Sequence, residues 1–279
     1  VAPSATPPAI GASGLPEGNF ATLTAGDIRS ALLTHGSLLM RGAIGADFVD
    51  RIRTEIDAAI AASYSPDEET AAAWRPLKVR KDVKESMAGD MRPLRRPFVQ
   101  EAGGSLLADA PHAMFELLEI FEQLGLRRMV GEYLGSRPVM SAHKSTLRRV
   151  AADAVGGWHQ DGAFLGTGLR AINIWIALTD CGVDAPGLDI VPRRLDTIVP
   201  TGTEGSYFEW AVSDLLVDDV AGELGVLRPE LAAGDMVIFD EMLLHRTGVS
   251  PGMTVDRYAI EFWCFSAGSY PSGQVPLVW

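Results

Sequence analysis

Two histidines and a carboxylate, in a particular order, are the side chains of this chain best suited to chemistry. His159-Gln160-Asp161 stands past its midpoint, His245 lies well downstream, and Arg257 follows. Two imidazoles and one carboxylate are the donors of a facial triad that binds non-haem Fe(II) on one side and leaves positions open for an oxidant and a cosubstrate. In extended backbone, residues i and i+2 project to the same side, so His159 and Asp161 can share one ion while Gln160 points away. An isolated H-x-D is common by chance, and His245, beside Leu243 and Leu244, reads on its own as a hydrogen-bonded core histidine. The order of the whole set carries the argument: H-x-D, a pair of strands, a Gly234-Asp235 turn, a strand, His245, and an arginine opening the last strand.

That arginine begins the apolar run Arg257-Tyr258-Ala259-Ile260-Glu261-Phe262-Trp263. Burying a guanidinium is costly unless it is paired, so Arg257 needs a carboxylate. A dicarboxylate cosubstrate gripped by both ends of the fork would supply one. So would an ion pair with Asp240, Glu241 or Glu261. Lys144 lies on the segment leading into the H-x-D loop, where it reaches the cosubstrate or an acidic substrate, or else stands on a strand surface. His35, His112 and His143 have no partner at metal-ligand spacing and read as structural or surface residues.

The elements that must position these groups follow from periodicity. A short helix is predicted over 24–36, a strand over 37–41, and an amphipathic helix over 46–63, whose Phe48, Ile52, Ile56 and Ile60 form one buried stripe. A second helical block over 112–134 repeats the pattern with Phe115, Leu118, Phe121 and Leu124. Strand-like segments then fall near 138–150, 170–179, 187–191, 236–240 and 257–266, punctuated by Gly, Pro and Asp. Helices first and strands afterwards predict a mainly β fold, a jelly roll buttressed by N-terminal helices. Nucleotide-cradling glycine loops are absent from the sequence. Residues 1–23 are expected to form a loosely ordered lead-in and 24–279 a single domain.

With 279 residues, 47% of them apolar and 22% charged, the chain fits one large folded unit. A formal net charge of −12 disfavours nucleic acid and anionic membrane as partners. Against that balance, Arg and Lys outnumber Asp and Glu over residues 75–96. This stretch is either a solvated face or a cover that draws carboxylates inward. Cys181 and Cys264 sit in apolar runs and read as reduced core thiols, which makes the cytoplasm the expected compartment. No apolar run approaches the ~18 residues that a spanning helix needs, and the N-terminus lacks the basic start and apolar block of a secretory signal.

Residues 24–267 resemble the phytanoyl-CoA dioxygenase family of Fe(II)- and 2-oxoglutarate-dependent oxygenases. The resemblance is carried by W-H-Q-D-G at 158–162, P-G-L-D-I-V-P at 186–192, G-D-M-V-I-F-D at 234–240, H-R-T at 245–247, and Arg257. It implies a double-stranded β-helix in which His159, Asp161 and His245 hold Fe(II). It further implies that Arg257 grips the distal carboxylate of 2-oxoglutarate, that Thr247 donates a hydrogen bond to it, and that Trp175 walls the pocket. By the same resemblance, 2-oxoglutarate and O2 are consumed, succinate and CO2 are released, and an aliphatic C–H of a small organic molecule is oxidised, most simply hydroxylated. Related halogenases lack the carboxylate, so Asp161 argues against halogenation. The family's usual Gly-Ser-His type turn is replaced by Pro192-Arg193-Arg194-Leu195, so the rim of the site is expected to differ.

Desaturation, cyclisation or epimerisation would use the same centre. Two readings of another kind are a non-catalytic jelly roll that binds an acidic ligand and a cupin-like metal enzyme that needs no keto acid. Phe164, Leu165 and Trp210 near the expected mouth allow a substrate with an apolar body and an acidic handle. Oligomeric state has no signature in the pattern.

Overall fold

A computed structural model of the chain describes residues 1–63, 103–165 and 168–279; the basic segment at 75–96 lies outside them. Helix α1 (Ala25–His35) begins at Thr24, whose hydroxyl accepts from the Asp27 N–H while the Asp27 carboxylate accepts from the Thr24 N–H, a reciprocal capping box. It ends at Gly36 with φ 77°, a left-handed conformation that favours glycine. Helix α2 (Ala46–Ser63) buries Phe48, Ile52 and Ile56, with Ile60 half-buried.

The helix expected over 112–134 is two: α3 (Pro111–Gln123) and α4 (Leu126–Leu134), broken at Gly125 with φ 67°. The apolar stripe of α3 also differs from expectation. Ala113, Leu117 and Phe121 are buried, whereas Phe115 is 62% exposed. Once Phe121 faces inward, positions four and eight residues earlier share its side of the helix and position 115 falls on the other. One further helix, α5 (Asp214–Ala221), follows later in the chain.

The strands are β1 (Glu17–Gly18), β2 (Ser37–Met40), β3 (Gly104–Leu106), β4 (Pro138–Val150), β5 (Ala171–Ala177), β6 (Gly187–Ile190), β7 (Met236–Asp240), β8 (His245–Gly248), β9 (Arg257–Ser266) and β10 (Pro276–Val278). A major sheet runs β1-β2-β7-β5-β9-β4-β10, with β3 also paired to β4. A minor sheet pairs β6 with β8 and is extended by single bridges from Trp158 to Val212, His159 to His245 and Ile190 to Leu227. The result is a mainly β, jelly-roll fold whose major sheet is not closed on itself. Part of the expected lead-in packs onto it: Leu15 is fully buried, β1 lies parallel to β2, and the Ser4 N–H donates to Gly26 O.

Alternation along β9 gives the sheet two different faces. Phe262 points to the helices, its ring 4.9 Å from that of Phe121 in α3, and Ile260 and Cys264 share that face and the main core. Full burial of side chains of this size contributes about 1.5–3 kcal/mol each. The odd positions, Arg257, Glu261 and Trp263, turn the other way. Register places Trp175 and Thr146 opposite Glu261, Asn173 opposite Trp263, and Arg148 opposite Ala259, so all of these share one polar inner face. Arg257 reaches from that face to Gly187 of β6 and Thr247 of β8. Among the described residues no helix is long and apolar enough to cross a membrane, and both cysteines are buried and free.

Candidate active site

The backbone brings His159 and His245 together before any ligand does. Each N–H donates to the other's carbonyl, at 2.9 and 3.0 Å, so residues far apart in sequence become cross-strand neighbours with rings 4.4 Å apart. Asp161 follows on the same side, its Oδ1 3.8 Å from His159 Nε2. Ligand atoms of His159, Asp161 and His245 all lie within 4.8 Å of one another. Gln160 points away as alternation requires. Its amide donates to the carbonyls of Thr197 and Met242 and its oxygen accepts from the Val199 N–H, which ties the surrounding loops to the ligand strand.

Both imidazoles are set to present Nε2. Nδ1 of His159 is 2.8 Å from Gly157 O and Nδ1 of His245 is 3.0 Å from Leu243 O, contacts that an Nδ1–H satisfies by donating. Burial, helped by His245, pulls His159 down to about 3, so its ring is neutral. Burial pushes Asp161 the other way, up to about 6, against the pull of His245, Asn173 and Lys144. Two imidazole nitrogens and a carboxylate oxygen converging within 4.8 Å fit a divalent cation. Two glycines make room for this strand: a Cβ on Gly156 would meet Thr247 O, and one on Gly157 would fall 2.8 Å from the Trp210 ring.

Asp161 is itself held. Asn173 Nδ2 donates to Asp161 Oδ2 at 2.9 Å and to Glu261 Oε1 at 3.3 Å; Trp263 Nε1 and Arg148 Nη2 also donate to Glu261. Burial opposes ionisation of Glu261, but Arg148, His245 and Lys144 outweigh it and hold the carboxyl down at about 2. Sequence reasoning passed over Asn173 and considered Glu261 only as a partner for Arg257. The available signal was a polar residue at the inward parity of an otherwise apolar strand.

Arg257 is 4% exposed and meets no carboxylate among the described residues. Its Nη1 donates to Gly187 O at 2.9 Å, its Nη2 to Thr247 Oγ1 at 3.4 Å, and its buried Nε has no acceptor there. The alternative ion pairs do not form. Asp240 is taken by Arg194 at 2.6 Å, Glu241 lies 3.9 Å from the same arginine, and Glu261 belongs to Arg148. Arg194 sits in the divergent Pro192-Arg193-Arg194-Leu195 turn, which is thereby tied to the end of β7. The guanidinium carbon of Arg257 lies 5.4 Å from the Trp175 ring. Burial lowers the pKa of Arg257 to about 10. A buried cation held by a carbonyl and a hydroxyl, with donors to spare, is suited to an anion.

Lys144 sits where the β4–β9 register shifts, between Met140 and Ser145. Its ammonium is 4.5 Å from the Trp263 ring and 5.7 Å from that of Phe164. Burial lowers its pKa, with Asp161 and Glu261 working against that shift. Phe164 and Trp210, each with its ring 5.7 Å from His159, border the open side of the triad. The structure thus gathers all seven sequence-derived site residues around one inner face, in two groups: Arg257, Thr247 and Trp175 at one end, Lys144 beside Trp263 and Phe164 at the other.

Residues 32–252 match the family described as Phytanoyl-CoA dioxygenase (PhyH). Solved structures with the same fold include AviO1 from Streptomyces viridochromogenes, at 17% identity and a TM-score of 0.53, with 90% of this chain and 98% of that one covered. The epimerase SnoN in complex with Fe3+, alpha ketoglutarate and nogalamycin RO matches at 14% identity and 0.56, covering 89% and 87%. A non-heme monooxygenase, ThoJ in its apo form, matches at 16% and 0.56, covering 91% and 84%. At such identities the likeness is one of fold. No curated protein sequence matches the chain.

Proposed function

The chain belongs to the phytanoyl-CoA dioxygenase family of Fe(II)- and 2-oxoglutarate-dependent oxygenases, and from that premise we propose that His159, Asp161 and His245 are its iron ligands. We further propose that it hydroxylates an aliphatic C–H of a small organic molecule, with succinate and CO2 as coproducts, in a single catalytic domain over 24–279. The observation that carries the reading is Arg257: a guanidinium buried without a carboxylate among the described residues, on the same face of the fold as three side chains that could hold a metal ion.

Bound at the triad, ferrous iron would supply the redox chemistry that couples oxidative decarboxylation of 2-oxoglutarate by O2 to oxidation of the substrate. The chain's own residues do the rest. His159 and His245 offer Nε2 while their Nδ1 contacts to backbone carbonyls stop the rings from turning. Asp161 brings one negative charge, and Asn173 fixes the carboxylate plane through Oδ2, leaving Oδ1 on the His159 side. Arg257 and Thr247 receive the distal carboxylate of the keto acid, and Trp175 flanks the guanidinium as the wall of that pocket. Phe164 and Trp210 border the open side and limit water at the centre.

The test is anaerobic titration with Fe(II) and 2-oxoglutarate. A visible charge-transfer band is expected in the native protein and is lost in Asp161→Ala and His245→Ala. No band in the native protein would leave a binding jelly roll or a metal enzyme without a keto acid. Under O2 with substrate, a product heavier by one oxygen is expected; a product lighter by two hydrogens would replace hydroxylation with desaturation or cyclisation.

A further inference from the structure

Lys144 is the cation that the proposed chemistry leaves over. Arg257 would meet the distal carboxylate of the keto acid, Asp161 would serve the iron, and Arg148 is paired with Glu261. Among the described residues the Lys144 ammonium makes no hydrogen bond and no ion pair; it lies against the rings of Trp263 and Phe164, at 4.5 and 5.7 Å, and the Asp161 and Glu261 carboxylates attract it without direct contact. Ring contacts of about 0.5–2 kcal/mol offset only part of what withdrawing an ammonium from water costs. An anion is the missing partner.

That anion is not the far end of the cosubstrate. Arg257 meets Gly187, Thr247 and Trp175, whereas Lys144 meets Trp263 and Phe164, so the two cations share no contact. A keto acid held by Arg257 and Thr247 has its distal carboxylate away from the rings that hold Lys144. Beside Lys144 the surface is aromatic and open: Phe164 is 45% and Trp210 41% exposed, their rings are 6.1 Å apart, and Phe208 stacks on Trp210 at 4.9 Å and 7°. Stacked rings left facing solvent beside a metal ligand suit a flat apolar body.

We propose that Lys144, Phe164 and Trp210 form the subsite for the prime substrate, an aromatic acid whose rings pack into the corner made by Phe164 and Trp210, inclined at 60°, and whose carboxylate pairs with Lys144. The assignment deepens the oxygenase reading above and rests on it for the position of the reacting centre. It makes Lys144 a substrate-binding residue and removes it from the cosubstrate pocket, where sequence alone had also allowed it.

The experiment compares 2-naphthoate with its neutral analogue 2-naphthamide, read by quenching of tryptophan fluorescence in protein loaded anaerobically with Fe(II) and 2-oxoglutarate. Naphthoate should bind at least about tenfold tighter, the contribution of one partly desolvated ion pair. Lys144→Met should bring the two probes to equal affinity, Lys144→Arg should keep the preference, and Trp210→Ala should weaken both probes together. In all three variants the affinity for 2-oxoglutarate, followed by its charge-transfer band, should stay within about twofold of native. Failure to bind either probe, equal affinities in the native protein, or a Lys144→Met variant that loses 2-oxoglutarate in place of naphthoate would overturn the assignment. If the band never forms, the iron reading fails, while probe preference is still read by fluorescence in the metal-free protein.

Discussion

Replacing Arg257 by methionine should uncouple the fold from its cosubstrate. In the native protein the guanidinium is 4% exposed with a carbonyl and a hydroxyl for company and no carboxylate among the described residues, so under the proposed function the keto acid supplies one. At one hundred times its dissociation constant, with Mn(II) as a redox-inert stand-in for iron, 2-oxoglutarate should stabilise the protein by about 2.7 kcal/mol. For a chain of this size that is a rise of about 5–10 °C in melting temperature. Removing one partner of a buried charge pair costs about 3–5 kcal/mol, or on the order of a hundredfold to a few thousandfold in affinity. The same concentration then lies below the new dissociation constant, and the shift should fall to about 1 °C or less. The ligand-free variant should melt no lower than native, because loss of a donor to Gly187 O costs about 1 kcal/mol, less than the charge it removes. Melting curves with and without 2-oxoglutarate decide it: an Arg257→Met protein that keeps the full shift would show that the carboxylate sits elsewhere.

Asn173→Leu should keep the fold and weaken Mn(II) binding by about 10–100-fold, the usual effect of losing a partner that orients a metal ligand, as measured by metal titration. Metal affinity should fall as pH drops through about 6, because Asp161 at about 6 must release its proton to bind the ion. Folding without metal behaves differently. The raised Asp161 pKa adds stability at low pH that is lost as pH rises through about 6, whereas the lowered His159 pKa adds stability that is lost as pH falls towards 3. Asp161 offsets part of that loss and Glu261, held down at about 2, adds to it, so the melting temperature of metal-free protein should fall as pH drops from about 6 towards 3; a rise over that range would sink the assignment of these states. Gly156→Ala drives a Cβ into Thr247 O and should lower stability by about 1–3 kcal/mol and weaken the 2-oxoglutarate band. Burial pushes the Cys181 thiol up to about 11 and Cys264 higher still, so native protein should resist labelling by a thiol reagent that reacts fully after unfolding.

The convergence of His159 and Asp161 was legible because it depends on a two-residue spacing that extended chain converts directly into a shared face, and His245 joined them only through the order of the whole set. Strands β7 and β9 were legible too: apolar and β-branched runs bounded by Gly-Asp and by Arg257 admit few other readings. Gly125 was harder to read, since a helical glycine is tolerated until tertiary packing turns it left-handed, and Phe115 was misplaced because a stripe counted every three residues from Phe121 drifts off the face that Ala113 and Leu117 occupy. Asn173 and Glu261 are polar residues whose meaning comes only from cross-strand register, which places them opposite Trp263 and Trp175. Arg257 was ambiguous for a related reason. Its rival carboxylates lie close in sequence, and only the structure commits them to Arg194 and Arg148.

The mutual backbone bridge between His159 and His245 is made by peptide groups, whereas the stretch between β6 and α5 lies outside both sheets and returns to this strand through the bridge of Val212 to Trp158. Insertions or deletions there, around the exposed Tyr207 and Trp210, leave the spacing of the two imidazoles untouched because the closure is made by peptide groups at its root. The outer part of the fold can therefore change length and chemistry while the reacting centre keeps its geometry, which gives such a scaffold a way to take new substrates without rebuilding its core.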